Sequence, residues 1–287
     1  MNSLIPICPP HPKVLKHLQG RKIGLRIESN EAIGEADALN RQYGTHMHCL
    51  IAMSRFPVAD LEFHQEHSSL PIAIFAPRVG RFRTLASKLQ ILRQLNIRIY
   101  LPFDCEENFS SLRILSSLGI ASVAVFQDVN NDWEKVSDLM TYALMGRVSR
   151  APIDPFNYLA ERYSANLRTD FSAVYFNDPT RYIHVDEQGR IALSSRELAD
   201  RQFISAQIKD LDSLPENDEY RDRLESWRHF FLRTGGCAYC EAWRICLGKF
   251  NEHRRENEGC LEFFKEFLEA IELYQSLKVR KVDLWQP

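Results

Sequence analysis

Short apolar segments alternate with amphipathic helical segments through the first half of the chain, and this alternation limits the fold more than any other feature. The segments are rich in β-branched residues and mostly do not alternate apolar with polar, which is typical of strands covered on both faces. Strand–helix–strand repetition predicts a parallel sheet with right-handed crossovers. We expect an α/β fold with an open or partial (β/α) barrel of about five or six strands, or alternatively a flat doubly wound sheet. The predicted strands are Lys22–Glu28, His46–Met53, Pro71–Phe75, Ile97–Leu101 and Ser122–Phe126.

Helical periodicity fills the intervals between the later strands. Leucines recur at helical spacing in these segments, and Asp132 stands where it can cap the third helix. The predicted helices are Arg81–Leu95, Asn108–Leu118 and Trp133–Leu144.

The pattern changes near residues 151–155, where two prolines would break a helix. The sequence therefore predicts a barrel-like domain over residues 1–150 and a smaller α+β domain over residues 151–287. The glycines at 235 and 236 can end the first of the two later helices. The elements predicted in the second domain are a β-hairpin over Tyr182–Ser195 and helices over Asn217–Thr234 and Leu261–Leu277.

Charge and hydropathy exclude several classes of partner. The chain has 36 basic and 38 acidic residues and a net charge of −2, which gives no electrostatic reason to expect nucleic acid or an anionic membrane. The N-terminus does not resemble a secretory signal, and no apolar run approaches the ~18 residues that cross a bilayer. We therefore expect a soluble, cytoplasmic protein.

Four of the seven cysteines are clustered near the end of the chain, in the pattern Cys237-x2-Cys240-x5-Cys246-x13-Cys260. An odd number of cysteines in a chain without an export signal favours metal or redox chemistry over disulfides. Glycines nearby let the backbone wrap closely around a metal centre and direct N–H groups at sulfur. Cys260 stands just before the last predicted helix, whose N-terminal partial charge favours a thiolate.

Three interpretations of these cysteines compete: four unrelated buried thiols, a structural Zn²⁺ site, or a [4Fe–4S] cluster. Zinc sites normally pair two closely spaced cysteine motifs, whereas here the last two cysteines are far apart in sequence. A cubic cluster tolerates irregular spacing because its irons occupy separate corners. The spacing therefore favours the cluster, with Zn²⁺ as the alternative.

The stretch GGCAYCEAWRICLGKF, with the later cysteine, resembles the SPASM domain at the C-terminus of many radical-SAM enzymes, among them sulfatase and peptide maturases. In that family a Cys-x2-Cys-x5-Cys run and one downstream cysteine bind the outer of two auxiliary [4Fe–4S] clusters. The resemblance implies that Cys237, Cys240, Cys246 and Cys260 are ligands of such a cluster. It is specific over Arg181–Cys260, and the first half is similar only in architecture.

The chain departs from the family at the positions of other ligands. Phe250 stands where the family has an inner-cluster cysteine, and Ser194 and Ser195 stand near the expected position of another. The Cys-x3-Cys-x2-Cys motif, which holds the cluster that cleaves S-adenosylmethionine, occurs nowhere in the sequence. The resemblance therefore implies a degenerate radical-SAM/SPASM protein that binds no S-adenosylmethionine and lacks the inner cluster.

The function expected from this resemblance is that of a non-autonomous accessory protein. It would bind a peptide substrate or a radical-SAM partner enzyme, and its cluster would be a structural pin or an electron relay. Two alternatives stay open, an independent enzyme that uses the mouth of the barrel and a zinc-stabilised binding module.

Other polar residues lie where catalytic groups of α/β proteins are found, after the strands. Asp104 and Asp128 are interpreted mainly as helix caps, and Arg55 and Arg78 mainly as solvated surface. The residues predicted at the strand ends are Glu28, Ser54, Arg55, Arg78, Asp104, Gln127 and Asp128.

The remaining histidine and cysteine candidates are weaker. His46 and His48, next to Cys49, form a weaker metal-ligand candidate. Cys8 and Cys105 are interpreted as buried or tail thiols.

Overall fold

A computed structural model of the chain describes residues 4–29, 32–126, 131–146, 150–164, 171–229, 235–247 and 259–283, together with residues 166, 169 and 232. Among these residues the structure has an α/β fold with one nine-stranded sheet. The strands are β1 (Ile5–Cys8), β2 (Lys22–Ile27), β3 (His46–Met53), β4 (Ile72–Phe75), β5 (Ile97–Pro102), β6 (Ser122–Val125), β7 (Ile153–Asp154), β8 (Tyr182–Val185) and β9 (Ile191–Ala192).

The strand order is β7-β6-β5-β4-β3-β2-β1-β8-β9. The described pairs are parallel except for the antiparallel hairpin β8–β9. The predicted α/β class and all five predicted strands are confirmed, but the sheet is larger than expected. Strand β1 was missed because its four residues lie in a proline-rich segment, IPICPP, that carries almost no strand signal.

The helices are α1 (Pro12–Leu15), α2 (Ile33–Gln42), α3 (Phe82–Ala86), α4 (Leu89–Gln94), α5 (Glu106–Ser117), α6 (Trp133–Met145), α7 (Phe156–Arg162), α8 (Ser195–Ala199), α9 (Asp218–Arg228), α10 (Trp243–Cys246) and α11 (Cys260–Asp283). The predicted cap is confirmed, since the Asp132 carboxylate accepts a hydrogen bond from the Lys135 backbone N–H at 3.2 Å. Of the helix predicted over Asn217–Thr234, the structure describes Asp218–Arg228 as helix α9. No helix in the described ranges has the length and apolar composition needed to cross a bilayer.

The single helix predicted over Arg81–Leu95 is wrong, because the chain breaks between α3 and α4. At the break, the Lys88 ammonium donates hydrogen bonds to the backbone carbonyls of Ala59 (2.7 Å) and Leu61 (2.6 Å). The Ser87 hydroxyl donates to the Thr84 carbonyl at 2.7 Å. The two Lys88 bonds reach a segment almost thirty residues earlier in the chain, and no local periodicity could predict them.

The hairpin β8–β9 is confirmed and has a well-defined turn. The Asp186 carboxylate accepts hydrogen bonds from the backbone N–H groups of Gln188 and Arg190, each at 2.9 Å. Gly189 has a φ of 83°, a conformation that favours glycine. The hairpin extends the sheet because β8 pairs in parallel with β1.

The chain forms two compact units, each made of two separate stretches of sequence. Unit 1 comprises Met1–Tyr100 and Tyr175–Trp227, and unit 2 comprises Leu101–Val174 and Arg228–Pro287. The division predicted from the sequence, into two continuous domains that meet at residue 150, is a different one and stays a prediction.

In unit 1 the register separates two chemically different faces of the sheet. The face that we call the aliphatic face is buried and includes Cys8, Ile23, Leu25, Ile27, Leu50, Ala52, Ile72, Ile74, Ile97 and Ile99. The opposite face, which we call the mixed face, carries charged and aromatic groups among its apolar ones. Its members are Ile5, Ile7, Lys22, Gly24, Arg26, His46, Cys49, Ile51, Met53, Ala73, Phe75, Arg98, Tyr100, Tyr182 and His184.

Unit 2 is held together by an aromatic core against which helix α11 packs. Phe264 and Phe267 of α11 contact Phe171 and Phe156, each with ring centroids 5.7 Å apart and nearly perpendicular planes. Edge-to-face pairs of this kind add to the free energy of burial. Phe264 and Phe267 are both buried.

The start of α11 is fixed by a close contact between Gly259 and Trp133 of α6. A Cβ atom on Gly259 would lie 2.6 Å from Cδ1, 2.9 Å from Cγ and 3.0 Å from Cβ of Trp133. Only a residue without a side chain fits there. The same indole contacts Phe263, with centroids 5.1 Å apart and the ring planes tilted by 30°.

We therefore expect Gly259→Ala to destabilise the protein by about 1–3 kcal/mol through overpacking against Trp133. Urea unfolding followed by circular dichroism measures the change. Gly34→Ala in helix α2 is the matched control, because a Cβ atom there would meet nothing within 4 Å, and it should not lower stability. Equal unfolding midpoints for the two variants would contradict the role of the Gly259 contact.

Candidate functional site

Cys237 and Cys240 lie in one tight turn of unit 2. Cys237 is part of a 3₁₀ helix, Gly235–Tyr239, and the Cys240 N–H donates to the Cys237 carbonyl at 3.1 Å. The Cys240 carbonyl in turn accepts from the Trp243 N–H at 3.2 Å, which leads the chain into α10. Both thiols are partly exposed. A turn of this kind lets two nearby sulfurs reach one metal centre.

Cys246 is the last residue of helix α10, which is anchored by buried apolar side chains. Ala242, Ile245 and Leu247 are buried. Leu247 ends the helix with a φ of 51°, and its N–H donates to the Trp243 carbonyl at 2.8 Å. A non-glycine residue in this conformation costs free energy. The local fold therefore fixes the backbone that carries Cys246.

Cys260 is the first residue of the 24-residue helix α11. Cys260 therefore stands at the positive end of the helix dipole. Because Gly259 is held against Trp133, the place where Cys260 leaves the aromatic core is also fixed.

All four cysteines are thus in unit 2, partly exposed and free of disulfide bonds. In the described part of the chain, no three His, Cys, Asp or Glu side chains are grouped so that they could hold a metal ion. The segment 248–258, which includes Gly248 and Phe250, lies outside the described residues. The four-cysteine centre therefore stays a prediction.

The other three cysteines fall into two kinds. Cys8 and Cys49 are buried, and burial raises the pKa of each thiol to about 12, although nearby cations (Arg26 for Cys8, Arg181 and Lys22 for Cys49) oppose the shift. Cys105 is exposed. Cys8 is thus a buried thiol as predicted, whereas Cys105 is neither buried nor in a tail, because it precedes α5 at the surface.

The structure describes five of the seven polar residues predicted after the strands. The Asp104 carboxylate accepts a hydrogen bond from the Asn108 side-chain amide at 3.2 Å, and no backbone cap involves it. Glu28, Arg55 and Arg78 are exposed, and the Ser54 hydroxyl is bonded to the Phe56 carbonyl at 3.0 Å. Gln127 and Asp128 lie outside the described residues.

Sequence reasoning missed a row of rings on the mixed face of unit 1. Phe75 stacks on Tyr100 with centroids 4.2 Å apart, and Phe176 contacts both Tyr100 (6.1 Å) and Tyr182 (5.6 Å). The Tyr182 hydroxyl lies 3.2 Å from Nε2 of His48. The alternating hairpin strand YIHV was the one sequence signal for this row, since it places Tyr182 and His184 on one face.

His184 is the buried polar centre of the mixed face. Its Nε2–H donates to the Phe176 carbonyl at 3.0 Å, and Nδ1 has no hydrogen-bond partner among the described residues. Burial lowers the pKa of His184 to about 4; the bond to Phe176 opposes this shift, and the Arg26 charge adds to it. Phe176, which accepts the bond, has a φ of 58°. The neutral imidazole therefore holds a strained residue in place.

Among the described residues, His48 is not part of a group of three side chains that could hold a metal ion. It lies at a register shift between β2 and β3, where Ile23 pairs with Met47 and Gly24 with Cys49. Burial, followed by the charges of Lys22 and Arg181, lowers the pKa of His48 to about 4.

Comparison with protein-family models and with curated protein sequences finds no match to this chain. The residues and contacts described above therefore carry the functional assignment.

The rate of alkylation in the metal-free protein should distinguish the buried cysteines from the exposed ones. At pH 7.5 we expect Cys8 and Cys49 to react with iodoacetamide about 10³-fold more slowly than an ordinary thiol, because a pKa near 12 leaves almost no thiolate. Peptide mass spectrometry should find label on Cys105 and on the four clustered cysteines first. Unfolding in urea is the control, since it should equalise all seven. Rapid labelling of Cys8 or Cys49 in the folded protein would refute their burial.

The neutral state of His184 should make stability depend on pH. Since the folded pKa (about 4) is below the ordinary 6.5, only the unfolded chain takes up a proton between these values. The contribution of neutral His184 to the free energy of unfolding is therefore complete above pH 6.5. It is lost as pH falls towards 4, by about 3 kcal/mol at ~1.4 kcal/mol per pKa unit. His184→Gln should flatten this part of the curve of unfolding free energy against pH. The exposed His17→Gln is the control, and equal curves for the two variants would rule the effect out.

Proposed function

We propose that this chain is an iron–sulfur accessory protein that binds one [4Fe–4S] cluster through Cys237, Cys240, Cys246 and Cys260. In this proposal it lacks autonomous radical-SAM activity and works with a peptide substrate or a radical-SAM partner enzyme. The cluster, when bound, would supply a structural link or a one-electron relay. We expect no nucleic-acid or membrane partner.

The observation that carries the proposal is the arrangement of the four thiols in unit 2. Three belong to one continuous turn and helix, and the fourth opens α11. All four lie outside disulfide bonds and are partly exposed, whereas Cys8 and Cys49 are buried with strongly raised pKa values. The chain thus keeps the predicted ligands accessible and hides two of its other thiols. Four thiolates suit either a cubic cluster or Zn²⁺, and the sequence spacing favours the cluster.

We also propose that the sheet is the partial barrel expected from the sequence, and its strand order supports this. Strands β1 to β7 follow one another in spatial order, as successive right-handed crossovers produce. In unit 1, Phe176 contacts both Tyr100 of β5 and Tyr182 of β8. Five strand intervals separate β5 from β8, or ~24 Å on a flat sheet. Phe176 could not contact rings from both strands if the sheet were flat. This contact therefore favours a concave mixed face.

Exposed apolar side chains support a protein partner. Tyr239, between Cys237 and Cys240, is 91% exposed, and Leu261, next to Cys260, is 62% exposed. Large apolar groups that stay in water are common where proteins associate. Their position beside the cysteines suggests that a partner approaches the cluster itself, as electron transfer or substrate delivery would require.

Anaerobic reconstitution with iron and sulfide tests the proposal. We expect about four iron and four sulfide per chain and the broad visible absorption of a [4Fe–4S] protein. Alanine at Cys237, Cys240, Cys246 or Cys260 should abolish or strongly reduce incorporation. Cys105→Ala is the matched control, because that thiol is also exposed but outside the cluster, and it should incorporate iron normally. One equivalent of Zn²⁺ in place of iron, or iron content unaffected by the four substitutions, would overturn the cluster assignment.

The lack of autonomous activity has its own test. The reconstituted protein, reduced with dithionite and given S-adenosylmethionine, should produce no 5′-deoxyadenosine. Production of this compound by the purified chain alone would refute the accessory role while leaving the four ligands in place.

A further inference from the structure

A cleft lies at the N-terminal ends of β1, β2 and β3 in unit 1, away from the edge where α/β proteins place their catalytic groups. Its volume is about 590 Å³, within the range of small-molecule sites. It is lined by Leu4, Gly20, Arg21, Lys22, His46 and Met47.

The floor of this cleft is built by two strands in fixed register. Lys22 of β2 pairs directly with His46 of β3, so both side chains leave the mixed face side by side. The His46 N–H donates to the Arg21 carbonyl at 2.8 Å, and the Gly20 N–H donates to the Gly44 carbonyl at 2.9 Å. The turns that precede the two strands are thus bonded to each other, and the cleft is preorganised.

The polar side chains that line the cleft are those of Arg21, Lys22 and His46. Arg21 and Lys22 contribute guanidinium and ammonium groups, and none of the described residues that line the cleft is acidic. Arg181 belongs to the same edge, because its carbonyl accepts from the Ile5 N–H at 2.8 Å. Arg21 pairs with the carboxylate of Asp212, which is itself 78% exposed. Lys22 and His46 have no ion-pair partner among the described residues.

A neighbouring histidine responds to this positive charge. The charges of Lys22 and Arg181 add to burial in lowering the pKa of His48. The effect supports a positive local potential at this end of the mixed face.

We propose that the cleft binds a small organic phosphate. The phosphate would lie between Lys22, His46 and the Arg21 guanidinium. Together these side chains offer several hydrogen-bond donors and two positive charges. A cleft of about 590 Å³ is far larger than one phosphate group needs. Leu4 and Met47, which also line the cleft, are apolar and are compatible with an organic part of the ligand. This site requires no metal and is independent of the four cysteines.

Isothermal titration calorimetry of the full chain at low ionic strength tests the proposal, with adenosine 5′-monophosphate and inorganic pyrophosphate as probes. We expect saturable binding of the nucleotide, weaker binding of pyrophosphate, and none of adenosine, which lacks the charge. Affinity should fall as salt rises, because the Debye length is only ~10 Å at 0.1 M.

Two variants with opposite expected effects on ligand affinity test whether binding occurs in the cleft. Lys22→Gln should weaken binding about fivefold, and Asp212→Asn should strengthen it about two- to threefold because it releases Arg21 from its partner. Lys16→Gln is the matched control, since Lys16 is an exposed lysine outside the cleft lining, and it should leave affinity unchanged. Circular dichroism confirms that each variant is folded.

The proposal is wrong if neither probe gives saturable binding at millimolar concentration. It is equally wrong if Lys16→Gln weakens binding as much as Lys22→Gln does, which would show nonspecific attraction to surface charge. Because metal-free protein suffices, failure here leaves the cluster proposal intact, and failure to incorporate iron leaves this one intact.

Discussion

The pairing of the short strand β1 with its two neighbours is the constraint on which the described features of unit 1 depend. β1 pairs in parallel with β2 on one side and with β8 on the other, through matches such as Ile7 with Gly24 and with His184. This pairing brings a hairpin from late in the chain beside strands from its beginning. Without it, Tyr182 and His184 would not share a face with Lys22, Arg26 and Cys49. The place of Tyr182 in the row of rings follows from this alignment, whereas the basic cleft depends on the pairing of β2 with β3.

The close packing at this point explains several identities in the sequence. A Cβ atom on Gly24 would lie 3.2 Å from Cγ1 of Ile7 and 3.4 Å from Sγ of Cys49, so the central strand tolerates little bulk on the mixed face. His184 is retained there without a charge, since its ring is buried and donates to the Phe176 carbonyl. Polar groups in such a setting are costly unless they are bonded. The bond therefore both satisfies one ring nitrogen and orders the residue that links the aromatic groups.

How far the sequence predicts this structure depends on how local each signal is. β3 was predicted with its observed bounds because eight residues of mainly apolar sequence identify a strand without help from elsewhere. β1 is only four residues long, and its strand character comes from partners distant in sequence. The break at Lys88 depends on carbonyls almost thirty residues earlier, so periodicity alone favoured a continuous helix. For the cysteines, spacing identifies candidate ligands, but it gives no distance between sulfurs. The basic cleft could not be predicted, because it requires knowing that Lys22 and His46 are paired.

The position of β1 in the sheet also has a consequence for synthesis of the chain. Its β2-facing edge can be covered as soon as β2 and β3 have formed, but its other edge has to wait for residues 182–185, which leave the ribosome much later. During that interval an apolar strand presents unpaired backbone groups to the cell, the usual starting point for association between nascent chains. Contacts between such distant segments also slow folding. The prolines at positions 9 and 10 directly after this strand limit how far another chain could extend the pairing along that open edge.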